Sequence, residues 1–242
     1  MSPKYFIKNY KFIIGIIGLV IFALSVWSEI MGQMIVFRSL RVIFGLALIA
    51  FVVFVNKWNT NTVLKYFLIS TCAASFFVMF FEIAILIVPA VIFNILAYSF
   101  LTLGLYRKAY FIKLKWYILL GFFGIMSINF YLMIVVVDVL QEVSLNTLHS
   151  TLLAINTFVI ATTALLALIY NYFYSSRSSM TFIVFLTLYI FSEFFRALGY
   201  YDLMPGYYAL STGRALFIIS FGALFHYMVI DKKADEILKW PF

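Results

Sequence analysis

Charge is what this sequence has least of: Lys, Arg, Asp and Glu make up 11% of its 242 residues, against roughly a quarter in an average soluble domain. So few polar groups cannot cover a water-facing surface, which excludes a soluble globular fold. Cysteine is limited to Cys72 within an apolar run, so an intrachain disulfide is excluded and no thiolate cluster can hold a metal. The sequence has no HExxH, CxxC or GxSxG element and no Walker-type glycine loop. Zinc hydrolysis, serine hydrolysis and nucleotide binding therefore have no motif behind them, and neither a metal site nor a cofactor is expected. An evenly spaced arginine series and a glycine-rich filter segment are missing too, which removes the signatures of voltage sensing and of a selective channel.

What is present is apolar length. Hydrophobic residues make up 66% of the chain and the mean hydropathy is +1.09. Runs close to the ~20 residues that cross a ~30 Å hydrocarbon core recur from end to end. They predict an all-α polytopic membrane helical bundle with eight transmembrane helices, at about 12–31, 37–55, 63–82, 84–105, 116–138, 151–173, 181–201 and 207–230. The connections are short and polar, as in NKWNTNT (56–62), RKAYFIKLK (107–115), SSRSS (175–179) and YDLMPG (201–206). No soluble domain fits between spans, so residues 1–242 read as a single transmembrane domain. The 29 Phe and 17 Tyr read as lipid-facing and packing residues, with Trp27, Trp58, Tyr106, Trp116 and Tyr174 near span ends, where amphipathic rings favour the interface. Trp240 extends that belt into the tail.

The net charge of +8 would suggest nucleic acid in a soluble protein. Here its distribution is topological: placing the termini and the even-numbered loops inside collects all but four of the 17 basic residues there, as the positive-inside rule requires. Both termini are expected to be cytoplasmic, nucleic acid is not expected as a partner, and membrane lipids are. The opening MSPKYFIKNYK and its apolar run read as a signal anchor, since no clear small-x-small cleavage site follows. The high Phe, Ile and Lys content suits a bacterial cytoplasmic membrane.

The four exceptions are Arg38, Arg41, Arg196 and Arg214, which fall on the outer side with Glu29, Glu82, Asp138, Glu142, Glu193 and Asp202. Every basic residue there is Arg, whose planar fork suits bidentate contact with carboxylate or phosphate. In FSEFFRALGYYD (191–202), Glu193 lies about eight residues, or ~12 Å, from the outer helix end. Arg214 and Arg41 also lie several residues inside their spans. Each would cost ~2.5–3.5 kcal/mol or more facing lipid, so they should face the bundle interior or a wet cavity. At spacing i, i+3, Glu193 and Arg196 share a helix face and can pair, and Arg214 can approach across a short hairpin.

Two readings follow: an internal ion-pair cluster that fixes helix register, or a polar pocket open to the outer side. In the pocket reading, Glu193 is the candidate catalytic group, and Arg41, Arg196, Arg214 and Glu82 are the candidate substrate-binding groups. Elsewhere, Asn94, Asn129 and Asn156 are placed to hydrogen-bond between helices. His226 is expected as a packing or interfacial residue and His149 as a solvated loop residue. Phe80-Phe81-Glu82 and Phe194-Phe195-Arg196, each followed by a proline (Pro89, Pro205), suggest a duplication into two parallel four-helix halves.

Eight spans, this length, cytoplasmic ends and a carboxylate in span seven preceded by a small residue together resemble the YhhN-type, lysoplasmalogenase-like membrane proteins. Those proteins cleave the vinyl-ether bond of lysoplasmalogens, with a Gly-Asp-type element in span three and a Ser-Asp-type element in span seven. Ser192-Glu193 matches the second with Glu for Asp. The first is absent: span three reads YFLISTCAASFFVMFFE, with Ser75 near the expected aspartate and Glu82 only at the end. The resemblance implies a lysolipid-like substrate and hydrolysis. The alternatives are a noncatalytic membrane assembly or partner protein and, third, a small-solute transporter.

Overall fold

The computed structural model describes residues 3–56, 62–108, 147–200 and 205–235, together with scattered positions between 115 and 131. Seven helices are described along their length: α1 (Pro3–Ile30), α2 (Met34–Asn56), α3 (Thr62–Val78), α4 (Ala84–Lys108), α5 (Thr147–Tyr174), α6 (Arg177–Tyr200) and α7 (Gly206–Asp235). Six contain stretches long and apolar enough to cross a membrane, and α3 is a shorter apolar helix. The protein is thus an all-α, multi-pass membrane protein. Most of the span expected at 116–138, with Asn129, Asp138, Glu142, Asp202, Trp58 and Trp240, lies outside the described residues.

The helices form two compact units. One combines residues 1–60 and 174–242; the other is 61–173.

The first unit holds α1, α2, α6 and α7. The α1–α2 turn is a left-handed helix stop: Gly32 has φ 70°, Gln33 N–H donates to the Ser28 carbonyl at 2.8 Å and Gly32 N–H to that of Glu29 at 3.0 Å. These bonds satisfy carbonyls that the last turn of α1 would leave open, at a φ that glycine adopts without a Cβ penalty. The core is aromatic. Phe44 packs edge-on against Phe217 (5.9 Å between centroids) and Phe221 (6.2 Å), Tyr189 packs against Phe221 at 5.8 Å, and Phe51 meets Phe225 at 4.7 Å. Offset and edge-to-face rings of this kind add to the dispersion contacts that hold helices together in lipid.

The α6–α7 hairpin brings two backbones close together. A Cβ on Gly213 would lie 3.1 Å from the Ser192 carbonyl oxygen and 3.2 Å from the Arg196 nitrogen, so the two backbones nearly touch. The buried Ser192 hydroxyl donates to the Gly213 carbonyl at 2.9 Å.

In the second unit, α3 and α4 run antiparallel, with Tyr66 stacked on Phe100 (5.0 Å) and Phe77 on Phe93 (5.6 Å). Asn94 donates to Asn156 at 3.4 Å and the Thr102 and Thr163 hydroxyls share a 2.7 Å hydrogen bond. Positions increase together in these two pairs, with separations of 62 and 61 residues, so α5 runs parallel to α4. The interhelical role expected of Asn94 and Asn156 is therefore present.

Three expectations need correction. The helix expected over 63–82 ends at Val78. Met79 and Phe80 bond to the carbonyls of Phe76 and Phe77, and this tighter i→i+3 pitch closes the α-helix. Glu82 consequently lies exposed in the turn that follows, whereas Phe194-Phe195-Arg196 lies within α6. The two tripeptides of the suggested duplication thus occupy different local structures, and the two compact units do not follow the suggested halves. His149 is not a loop residue: α5 starts at Thr147 and buries it to 1% exposure. The polar His-Ser-Thr stretch lowers hydropathy, but the helical hydrogen bonding runs through it.

Candidate functional site

Six charged residues of the first unit gather where α1 passes into α2 and α6 into α7. Glu29 comes from the last turn of α1, Arg38 and Arg41 from the start of α2, Glu193 and Arg196 from the end of α6, and Arg214 from the early part of α7. All are buried except Arg196, which is 18% exposed.

Glu193 is held from both sides. Arg41 Nη2 pairs with its Oε1 and Arg196 Nη2 with its Oε2. The pair expected from FSEFFRALGYYD is therefore present within α6, but α2 supplies the second cation. Arg214 is not an ion-pair partner of Glu193. Its Nη2 donates to the Phe37 carbonyl at 2.6 Å, and its guanidinium sits 4.3 Å from the centroid of the Phe37 ring.

A reciprocal exchange links α2 and α7. Arg41 of α2 lies 4.0 Å from the Phe217 ring of α7, while Arg214 of α7 lies over Phe37 of α2. Phe37 and Arg41 are four apart, Arg214 and Phe217 three apart, so each helix offers one cation and one ring from a single face. Arg38 adds a third such contact, 5.2 Å from the Tyr200 ring. Aromatic faces accept a desolvated guanidinium without supplying a negative charge.

Glu29 is placed against electrostatic preference, since the C-terminal end of a helix carries partial negative charge. Ser211, one turn before Arg214 on α7, donates to Glu29 Oε2 at 2.7 Å and holds the carboxylate there. Its other oxygen, Oε1, and Nη1 of Arg214 are buried with no hydrogen-bonding partner among the described residues. The order of residues explains the convergence. The Ser192–Gly213 bond fixes the α6–α7 contact, and the next residue on each helix is Glu193 or Arg214.

Of the candidate residues, then, Arg41, Glu193, Arg196 and Arg214 come together in one unit, whereas Glu82 belongs to the other. Sequence reasoning left Glu29, Arg38, Ser211 and the two phenylalanines out of the site. Glu29 and Arg38 group with the outer-side charges in the sequence, and the Phe37-x3-Arg41 and Arg214-x2-Phe217 spacing was a local signal for the two rings. Among the described residues no group of His, Cys, Asp and Glu could hold a metal ion. No family model, curated protein or solved structure matches this chain.

Proposed function

We propose that this chain, in a bacterial cytoplasmic membrane with eight spans and both termini inside, binds the anionic head group of a lysolipid-like amphiphile in its arginine cluster. The observation that carries the reading is the charge imbalance: four arginines gather with two glutamates, and Arg214 Nη1 is buried with no hydrogen-bonding partner among the described residues. A buried donor left unpaired costs ~1–3 kcal/mol, more when charged, and a phosphate or carboxylate would supply the missing acceptor. Aromatic faces hold three of the arginines in place, and preorganisation lowers the ordering cost of binding. The eight-span count is supported by the parallel run of α4 and α5, since the chain leaves α4 on one face and enters α5 on the other.

The resemblance to YhhN-type proteins extends the proposal to hydrolysis of a lysolipid. Both Glu193 oxygens are already engaged by guanidinium groups, which favours an orienting role for Glu193 over proton donation. The same engagement favours a second reading, a noncatalytic assembly protein whose cluster fixes helix register.

Native mass spectrometry of the protein with its co-extracted lipids, compared with Arg214→Gln, separates the two. Arg214 lies outside the Glu193 ion pairs, so loss of a retained lysolipid from a folded Arg214→Gln variant supports the binding site. Equal retention, or none in either protein, favours the assembly reading. Aldehyde release from an added lysoplasmalogen tests the hydrolytic extension.

A further inference from the structure

The opposite end of the same unit carries a feature that the arginine cluster does not use. Between α1, α6 and α7 runs an open groove of about 650 Å³ whose walls are apolar except at one end, where Lys11 and His226 stand. Its floor follows from small residues. At Gly18 the helices α1 and α7 nearly touch, since a Cβ there would lie 2.6 Å from the Ile218 side chain. At Gly15 and Gly222 an added Cβ would meet nothing within 4 Å, so the missing side chains leave space.

Length and position fit one leaflet. On α1 the groove extends from Lys11 to Phe22, about 16 Å at 1.5 Å per residue, close to the ~15 Å half-thickness of a hydrocarbon core. In the sequence Lys11 immediately precedes the apolar run of α1, and the apolar run of α7 ends at Ile230, one turn past His226 and just before Asp231-Lys232-Lys233. The polar end therefore stands at the membrane boundary and the apolar remainder within the hydrocarbon. Spread over that length, 650 Å³ gives a channel with a cross-section of about 40 Å², which admits acyl chains. The cation at the boundary selects the head group, because a lysine there attracts anionic lipid.

We propose that this groove binds an anionic phospholipid of the leaflet where α1 begins and α7 ends, with its acyl chains along Gly15 and Gly222 and its phosphate at Lys11. The phosphate position at Lys11 lies 18 residues along α1 from Glu29 of the arginine cluster, or about 27 Å, while the groove's other end reaches Ala215, next to Arg214.

The test uses the full chain in phosphatidylcholine nanodiscs containing a phosphatidylglycerol analogue with a diazirine midway along one acyl chain. Labelled positions are mapped by peptide mass spectrometry, and a matched phosphatidylcholine analogue serves as comparison. The expected result is labelling of α1 and α7 around the groove, abolished in both Gly15→Leu and Gly222→Leu, which place a side chain in open space. Lys11→Gln, a change at an exposed position, should lower the preference for the glycerol over the choline lipid about fivefold. The proposal is overturned by equal labelling with both analogues in the wild type, by an unchanged preference in Lys11→Gln, or by unchanged labelling in both leucine variants that melt like the wild type. A wild-type dimer that the leucine variants dissociate would also overturn it, by assigning the groove to a second copy.

Discussion

Replacing Glu193 by Gln removes one negative charge and almost no volume, so it isolates the electrostatics of the cluster. In the folded protein this carboxylate bridges Arg41 of α2 and Arg196 of α6, and it is 7% exposed. An exposed ion pair would contribute ~0–1 kcal/mol. A buried one behaves differently, since removing a partner leaves the other charge uncompensated at a cost of ~3–5 kcal/mol. Two guanidinium groups would lose their counter-charge here, while the Gln oxygen can still accept from one of them, so about 3 kcal/mol is the expected loss. Equilibrium unfolding in mixed micelles, followed by far-ultraviolet circular dichroism, measures it. Arg41→Met alone and combined with Glu193→Gln completes a double-mutant cycle, in which the pair should cost ~0.5–3 kcal/mol less than the sum of the single changes. A loss below about 1 kcal/mol with additive single effects would refute the reasoning, because it would mean that water or another group already screens the pair.

Other parts of the fold give smaller and separable effects. Gly32→Ala, at φ 70° in the α1–α2 turn, should cost about 1–2 kcal/mol in the same unfolding assay, the penalty of a left-handed residue with a Cβ. No loss would mean that the turn relaxes without strain. Asn94→Leu removes the 3.4 Å bond to Asn156 and should cost only about 0.6 kcal/mol, the average for such bonds between membrane helices. A loss several times larger would show that the contact carries more than that bond.

Some of the site was legible before any coordinates. Glu193 and Arg196 are three residues apart on one helix, so local geometry suffices to pair them, and the cost of a lipid-facing charge points both inward. Arg41 could not be paired in the same way, since it stands 152 positions from Glu193 and only the packing of α2 beside α6 brings it there. Arg214 illustrates the opposite limit. Its hairpin neighbourhood suggested Glu193, but the closer groups proved to be the carbonyl and ring of Phe37, and a backbone acceptor leaves no mark in a sequence. His149 was misplaced for a related reason: hydropathy measures lipid contact, whereas helix formation depends on continuous backbone hydrogen bonding through polar residues as well.

By itself the sequence determined the solvent, because 11% charged residues cannot dress a water-facing surface, and with it the helical class, because in hydrocarbon each helix satisfies its own backbone groups. It also determined that the arginines at issue would be turned inward. Tertiary structure alone decided which charges meet. Glu193 lies between two helices' arginines and Arg214 lies over a ring because α2 packs against α6 and α7, which Ser192 and Gly213 bring to backbone contact. Pairing energies at such distances depend on a few tenths of an ångström across chain segments that are far apart in sequence.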